Sequence, residues 1–132
     1  MEGDQVYTDK QLVIVRAGST GELSITGAID YYNAESVAAV VAGELAAGSQ
    51  RAAALSDAIS GNGDLHIDLS RLEFTDVTGI RALVQVAENS GDGRRLVLRG
   101  LPSRIRMVMG VVGWGNLPNL VIEEPPEEPT TE

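Results

Sequence analysis

"LHIDLSRLEFTDVTGI", residues Leu65–Ile80, decides how the whole chain is read. Its first half alternates: Leu65, Ile67 and Leu69 fall on one side, His66 and Asp68 on the other. That is the period of a half-buried strand. Its last residues open a helix, because Ile80, Leu83, Val84 and Ala87 recur at the helical period. Asp76 is suited to the N-cap, where a carboxylate accepts from the unpaired N–H groups of the first turn. The stretch between, RLEFTD, reads as a loop. Thr78 stands at the junction as the second residue of the helix, with Asp76 two residues before it and Gly79 one after.

Working outward, QLVIVRA (11–17) and LSITGAI (23–29) read as two strands joined by the turn GSTGE. A helix follows near Ala34, with Asn33 as its cap and Val37, Val40, Val41 and Leu45 as its apolar stripe. Gly48 reads as its end. RAAALSDAI either extends it or forms a second short helix, and SGNGD is a turn. Downstream, NSGDG closes the helix of Ile80, and RRLVLRG is a strand. LPSRIRMVMGVVGWG is a helix with Pro102 near its first turn, striped by Ile105, Val108, Met109 and Val112, and NLVIE is a short last strand.

Strands alternating with helices predict an α/β fold. The expected architecture is a mixed, largely parallel four- to five-stranded sheet with helices packed mainly on one face. Its crossovers should be right-handed, and its first strand antiparallel. Residues 10–122 are expected to form the domain, 1–9 an N-terminal extension, and 123–132 a disordered acidic tail.

Composition narrows the function. Hydrophobic residues are 43% and charged residues 22%, an ordinary globular mixture. The absence of cysteine excludes disulfides, thiolate metal sites and a cysteine nucleophile, and fits a reducing, cytoplasmic setting. The opening MEGDQVYTDK has no signal-peptide pattern, and no apolar run approaches a membrane span. The tail EEPPEEPTTE holds five of the 19 acids, so the net charge of −9 becomes −4 without it. Either value argues against a general nucleic-acid binder. No metal-ligand spacing is present, GNG and GDG lack the Lys-Ser or Lys-Thr of a phosphate loop, and no cofactor is expected.

Thr78 has its own chemistry. A hydroxyl at the second helical position lies near unpaired N–H groups and the positive end of the helix dipole. A phosphoryl group added there would find donors nearby. Gly79 would keep the approach clear. Asp76 would cap the helix, support the hydroxyl, and later repel the new charge. A hydrolase would need the chain's one histidine, His66, twelve residues before Thr78. A pairing of Asp68 with Asp76 as acid and base has nothing to indicate a pocket between them.

HIDLSRLEFTDVTGIRALV resembles the signature of the STAS domain, found in bacterial anti-sigma factor antagonists and in the cytoplasmic tails of sulfate transporters. Asp68, Leu69 and Ser70 match its first part; Asp76, Val77, Thr78 and Gly79 match its second. LSITGAIDYYNAESVAAVV resembles the family's second strand and first helix, with Asp30 at the acidic position after the strand. The resemblance implies a binding protein rather than an enzyme, a cytoplasmic phosphoprotein of bacterial transcription and stress-response regulation. Thr78 would be the phosphoacceptor, although serine is commoner there, with Asp76 and Gly79 supporting it. The implied partner is an anti-sigma factor that is also a serine/threonine kinase of the histidine-kinase-like ATPase fold. The unmodified form would bind it and the phosphorylated form would let go, a partner switch. Asp30, Tyr31, Tyr32, Asn33, Asp68, Ser70 and Val77 would meet that partner. No nucleic acid or membrane is implied, and a homodimer stays open. The alternative is a ligand-sensing or scaffold domain in a signalling assembly, with a pocket near Asp30, Asp68 and Thr78 and no control by phosphorylation.

Two further features are read either way. Arg94, Arg95, Arg99, Arg104 and Arg106 are half of the ten basic residues, either a solvated strand edge and helix face or a docking patch for an acidic partner. Trp114 is expected to pack over the sheet edge, and Met107 to face outward.

Overall fold

A computed structural model describes residues 3–17, 21–55, 64–89, 95–114, 117 and 119–123. Its strands are β1 (Gly3–Thr8), β2 (Leu12–Ala17), β3 (Leu23–Ile29), β4 (Leu65–Asp68), β5 (Leu72–Thr75), β6 (Leu96–Arg99) and β7 (Leu120–Ile122). Its helices are α1 (Ala34–Leu55), α2 (Val77–Glu88) and α3 (Ser103–Val111). The strands form one seven-stranded sheet in the order β1-β2-β3-β4-β6-β7, with β5 also on β3. β2 is antiparallel to both β1 and β3. The remaining pairings are parallel.

Register explains the core. Ile14 lies beside Ile25, Leu23 beside Ile67, and Ile67 beside Leu98, so these side chains share one face. Val37, Val41 and Leu45 of α1 and Ile80, Leu83, Val84 and Ala87 of α2 join them in one buried cluster, with Met109 of α3. Burying each large apolar side chain contributes about 1.5–3 kcal/mol. The stripes read for α1 and α2 meet here, whereas of the α3 stripe only Met109 is buried and Val112, just past the end of α3, is half exposed.

β4 and β5 behave as one strand broken in the middle. β3 pairs with β4 through Leu23 and Ser24, then with β5 from Gly27 to Ile29. The switch falls at Gly27, whose φ is +118° and whose added Cβ would lie 2.2 Å from the Gln11 carbonyl oxygen. Only glycine fits that backbone and that space. The break sets the register that matters for the site, because Ile29 comes to lie beside Thr75. Asp30 and Asp76 therefore leave adjacent strand ends at one rim of the sheet.

The structure departs from the sequence reading in strand number and in three segments. Among the described residues it has seven strands rather than four or five. Residues 72–75, read as loop, are β5: only Thr75 is buried there, so no alternation announces a strand that its pairing with β3 creates. Residues 3–8, read as an extension, pair with β2 as an edge strand. α1 also runs past Gly48 to Leu55. One interior glycine costs about 1 kcal/mol, and the alanine-rich run around it offsets that. Most of the predicted turns GSTGE, SGNGD and NSGDG, and all but Glu123 of the acidic tail, lie outside the described residues.

Candidate functional site: the cleft at the start of α2

The first turn of α2 is built by Asp76 and Gly79. Asp76 is the N-cap in extended conformation, and its Oδ1 accepts from the Gly79 N–H at 2.9 Å. Its carbonyl accepts from the Ile80 N–H at 3.2 Å. Gly79 is buried and faces inward: a Cβ there would lie 2.7 Å from both Ile29 Cγ2 and Thr75 Oγ1. Its missing side chain thus lets α2 sit against the ends of β3 and β5, rather than clearing a path from solvent. Thr78 is exposed, and its hydroxyl has no hydrogen-bond partner among the described residues. The N–H groups of Val77 and Thr78 are likewise unpaired among them, as the start of a helix requires.

The facing loop is held by Asp30 and Asn33. Asp30 Oδ1 accepts from the Tyr32 N–H at 2.9 Å, and the Asp30 carbonyl accepts from Asn33 and Ala34 N–H groups at 3.2 and 2.9 Å. Asn33 occupies the cap position of α1, since its carbonyl accepts from the Val37 N–H. Its side chain does something else. Oδ1 accepts from the Asp30 N–H at 2.9 Å, while Nδ2 donates to the Ala28 carbonyl at 3.0 Å and to Asp9 Oδ2 at 3.1 Å. At 6% exposure Asn33 is an internal brace, so the expected side-chain cap is absent and a partner would not reach it. A buried amide with its donors and acceptor satisfied outweighs one solvent-facing N–H.

Asp9 completes that brace. It also takes the Tyr7 hydroxyl and the Gln11 N–H, each at 2.8 Å. Burial pushes its carboxyl up, but the donors from Gln11, Tyr7 and Asn33 hold it below the usual carboxylate range. The hydrogen bond to Asp9, helped by burial, raises the Tyr7 phenol in turn.

Between the two helix starts lies an open cleft of about 630 Å³, lined by Tyr31, Tyr32, Glu35, Thr78, Arg81 and Gln85 among others. Tyr31 and Tyr32 are 74% and 85% exposed, and their rings meet edge to face at 5.6 Å. Val77, beside Thr78, is 49% exposed. The fold thus gathers Thr78, Tyr31 and Tyr32 into one cleft, with Asp30, Asp76 and Val77 next to them along the chain. Arg81 and Gln85 were not singled out from the sequence. Their signal was there: they lie three and seven residues past Thr78, one and two helical turns.

Asp68 and Ser70 are elsewhere. Asp68 pairs with Ser24 and Arg99, five residues of β3 short of Ile29, which is roughly 17 Å along the sheet. There Asp68 Oδ1 takes both the N–H and the hydroxyl of Ser70, at 3.0 and 2.7 Å. Burial raises the Asp68 carboxyl, yet Ser70, Arg99 and Arg71 bring it below the ordinary range. His66 lines a different, smaller cavity of about 290 Å³ with Gly21, Glu22, Asp64 and Arg99. It does not line the cleft of Thr78, which removes the geometry a hydrolase would need. Among the described residues no group of three histidines or carboxylates is arranged to hold a metal ion.

Among the described residues, three arginines of the run bind separate partners. Arg95 is clamped to Asp64 through two hydrogen bonds, Arg99 pairs with Glu22, and Arg106 Nε reaches the Leu101 carbonyl. Arg94 lies outside the described residues. Met107 is exposed, as the sequence suggested, and Trp114 is half-buried against the core.

A mixed sheet layered with helices, and a helix start that presents an exposed hydroxyl beside an aspartate cap, define a class of small mixed α/β domain. The family model described as "Mlab, STAS domain" matches residues 12–122, and the chain belongs to the STAS domain family. The fold is that of the crystal structure of an anti-sigma factor antagonist from Mycobacterium paratuberculosis. That chain is 22% identical, with a TM-score of 0.52 over 86% of this chain and 88% of its own. No curated protein matches the chain significantly. Among the described residues no helix is long and apolar enough to cross a membrane.

Proposed function

We propose that this STAS domain is an antagonist-type binding module whose hold on an anti-sigma factor is switched by phosphorylation of Thr78. The observation that carries the reading is the Thr78 hydroxyl, exposed and unpaired at the start of α2 and set in a cleft with two exposed tyrosines. The partner is an anti-sigma factor that is also a serine/threonine kinase of the histidine-kinase-like ATPase fold, and the setting is cytoplasmic control of bacterial transcription under stress. This chain is the substrate and not the enzyme. Thr78 Oγ1 attacks the γ-phosphorus of ATP held by the kinase. The new O–P bond forms as the bond to the β-phosphate oxygen breaks, ADP leaves, and the hydroxyl proton passes to a base on the kinase.

In the unmodified state Tyr31, Tyr32 and Val77 supply apolar and aromatic contact, the residue types that anchor interfaces. In the modified state the phosphoryl charge meets the partner's surface at close range, next to Asp76. Incubation with the cognate kinase and ATP, and then mass mapping, should place one phosphate on Thr78. Phosphate on another residue overturns the reading. The size of the cleft, within the range of small-ligand sites, favours a ligand-sensing or scaffold role as the second reading. That role requires partner binding to be indifferent to Thr78 modification.

A further inference from the structure

Among the described residues, the cleft of Thr78 is lined by a single cation. Of the side chains lining it, Arg81 alone is basic, and Glu35 alone is acidic. Arg81 is exposed and makes no ion pair among the described residues. This sets it apart from Arg16, Arg95 and Arg99, each held by a carboxylate: Glu44, Asp64 and Glu22. Resting on the reading of Thr78 as phosphoacceptor, we infer that Arg81 is the internal receptor for the phosphoryl group, pairing with it across one turn of α2.

The spacing supports this directly. Residues three apart on a helix are surface neighbours, with Cβ atoms about 5–6 Å apart. A guanidinium on its long stem reaches the oxygens of a phosphate on that neighbour and can donate two hydrogen bonds to them. The unpaired N–H groups of Val77 and Thr78 and the helix dipole add to the attraction. Opposing it are Glu35 from α1 and the Asp76 carboxylate, which is already engaged with Gly79. Tyr31 and Tyr32 line the same space.

Modification then changes the surface twice. Without phosphate, Arg81 is a free cation at the docking face, available to a carboxylate of the partner. With phosphate, it turns to its own chain. The partner loses a positive contact and meets a negative group, and both changes weaken binding.

The test installs phosphothreonine at position 78 during synthesis, with no kinase involved, and tracks the phosphorus resonance through a pH titration. The unperturbed second ionisation lies near pH 6. In the native background it should fall roughly half a pH unit lower than in Arg81→Gln, with Arg81→Lys between them, and the gap should shrink in high salt. Superimposed curves for the native and Arg81→Gln proteins overturn the inference. Because the phosphate is installed without a kinase, such a failure leaves phosphorylation of Thr78 standing. Conversely, the shift can appear even if no kinase ever modifies Thr78, and then only the switching role falls.

Discussion

Two short stretches of this chain share a pattern and meet opposite fates. Asp68-Leu69-Ser70 and Asp76-Val77-Thr78 each place an aspartate, an apolar residue and a hydroxyl residue at the end of a strand. In the first, the carboxylate folds back on the hydroxyl two residues on and holds it at 2.7 Å. Leu69 is buried, and the Ser70 hydroxyl hydrogen is already committed. In the second, a helix starts at once, so the carboxylate is drawn to the N–H three residues on. The hydroxyl two residues on stays free and the intervening valine stays exposed. The local tripeptide therefore does not decide whether a hydroxyl is available. The element that the chain enters next decides it: a turn consumes the hydroxyl, and a helix cap releases it.

The contrast is most exposed to disproof at Gly79. A methyl there would collide with Ile29 and Thr75 and push α2 off the sheet. Gly79→Ala should cost about 1–3 kcal/mol in denaturant unfolding and weaken partner binding as well, because the cleft shifts with the helix. Unchanged stability would mean that α2 is not seated where the structure has it. At Tyr32, exposure predicts the reverse: Tyr32→Ala should leave stability within about 0.5 kcal/mol. It should reduce affinity for the anti-sigma factor by roughly 1–2 kcal/mol, read by calorimetry. A loss of stability equal to the loss of binding would make Tyr32 structural.

The smallest effect belongs to the closed rim. Ser70→Ala should cost about 1 kcal/mol of stability and change partner affinity not at all. A pH series adds a second check, on Asp68 and on the Asp9 brace of Asn33. Asp9 and Asp68 are both held below the ordinary carboxylate range in the folded protein. The stability they contribute is present above the unfolded value of about 4 and is lost as pH falls through their lower folded values. Acid unfolding should therefore steepen below about pH 4, and Asp68→Asn should flatten part of that slope. A stability that rises on acidification would contradict the hydrogen bonds assigned to both groups.

Much of the fold was legible because its apolar stripes are regular. The alternation of β4 and the helical periods of α1 and α2 each named residues that became the core. β5 was not legible, since three of its four residues are not buried and its pairing is set by a distant strand. At the site, the helix start and its Asp76 cap could be read locally. The inward turn of Asn33 could not, because its partners Ala28 and Asp9 are brought to it by the β1–β2 hairpin and the end of β3. Nor could the separation of Asp68 from Thr78, which depends on where β3 changes partner.

The proposed switch depends on a threonine oxygen left free by its own helix cap. It is tested most directly by the affinity of the anti-sigma factor for two preparations of this chain, identical but for a phosphate on Thr78. The phosphorylated chain should bind at least about a hundredfold more weakly, close to 3 kcal/mol, with its unfolding transition nearly unchanged. Equal affinities for the two, with the phosphate verified in place, would contradict the switch.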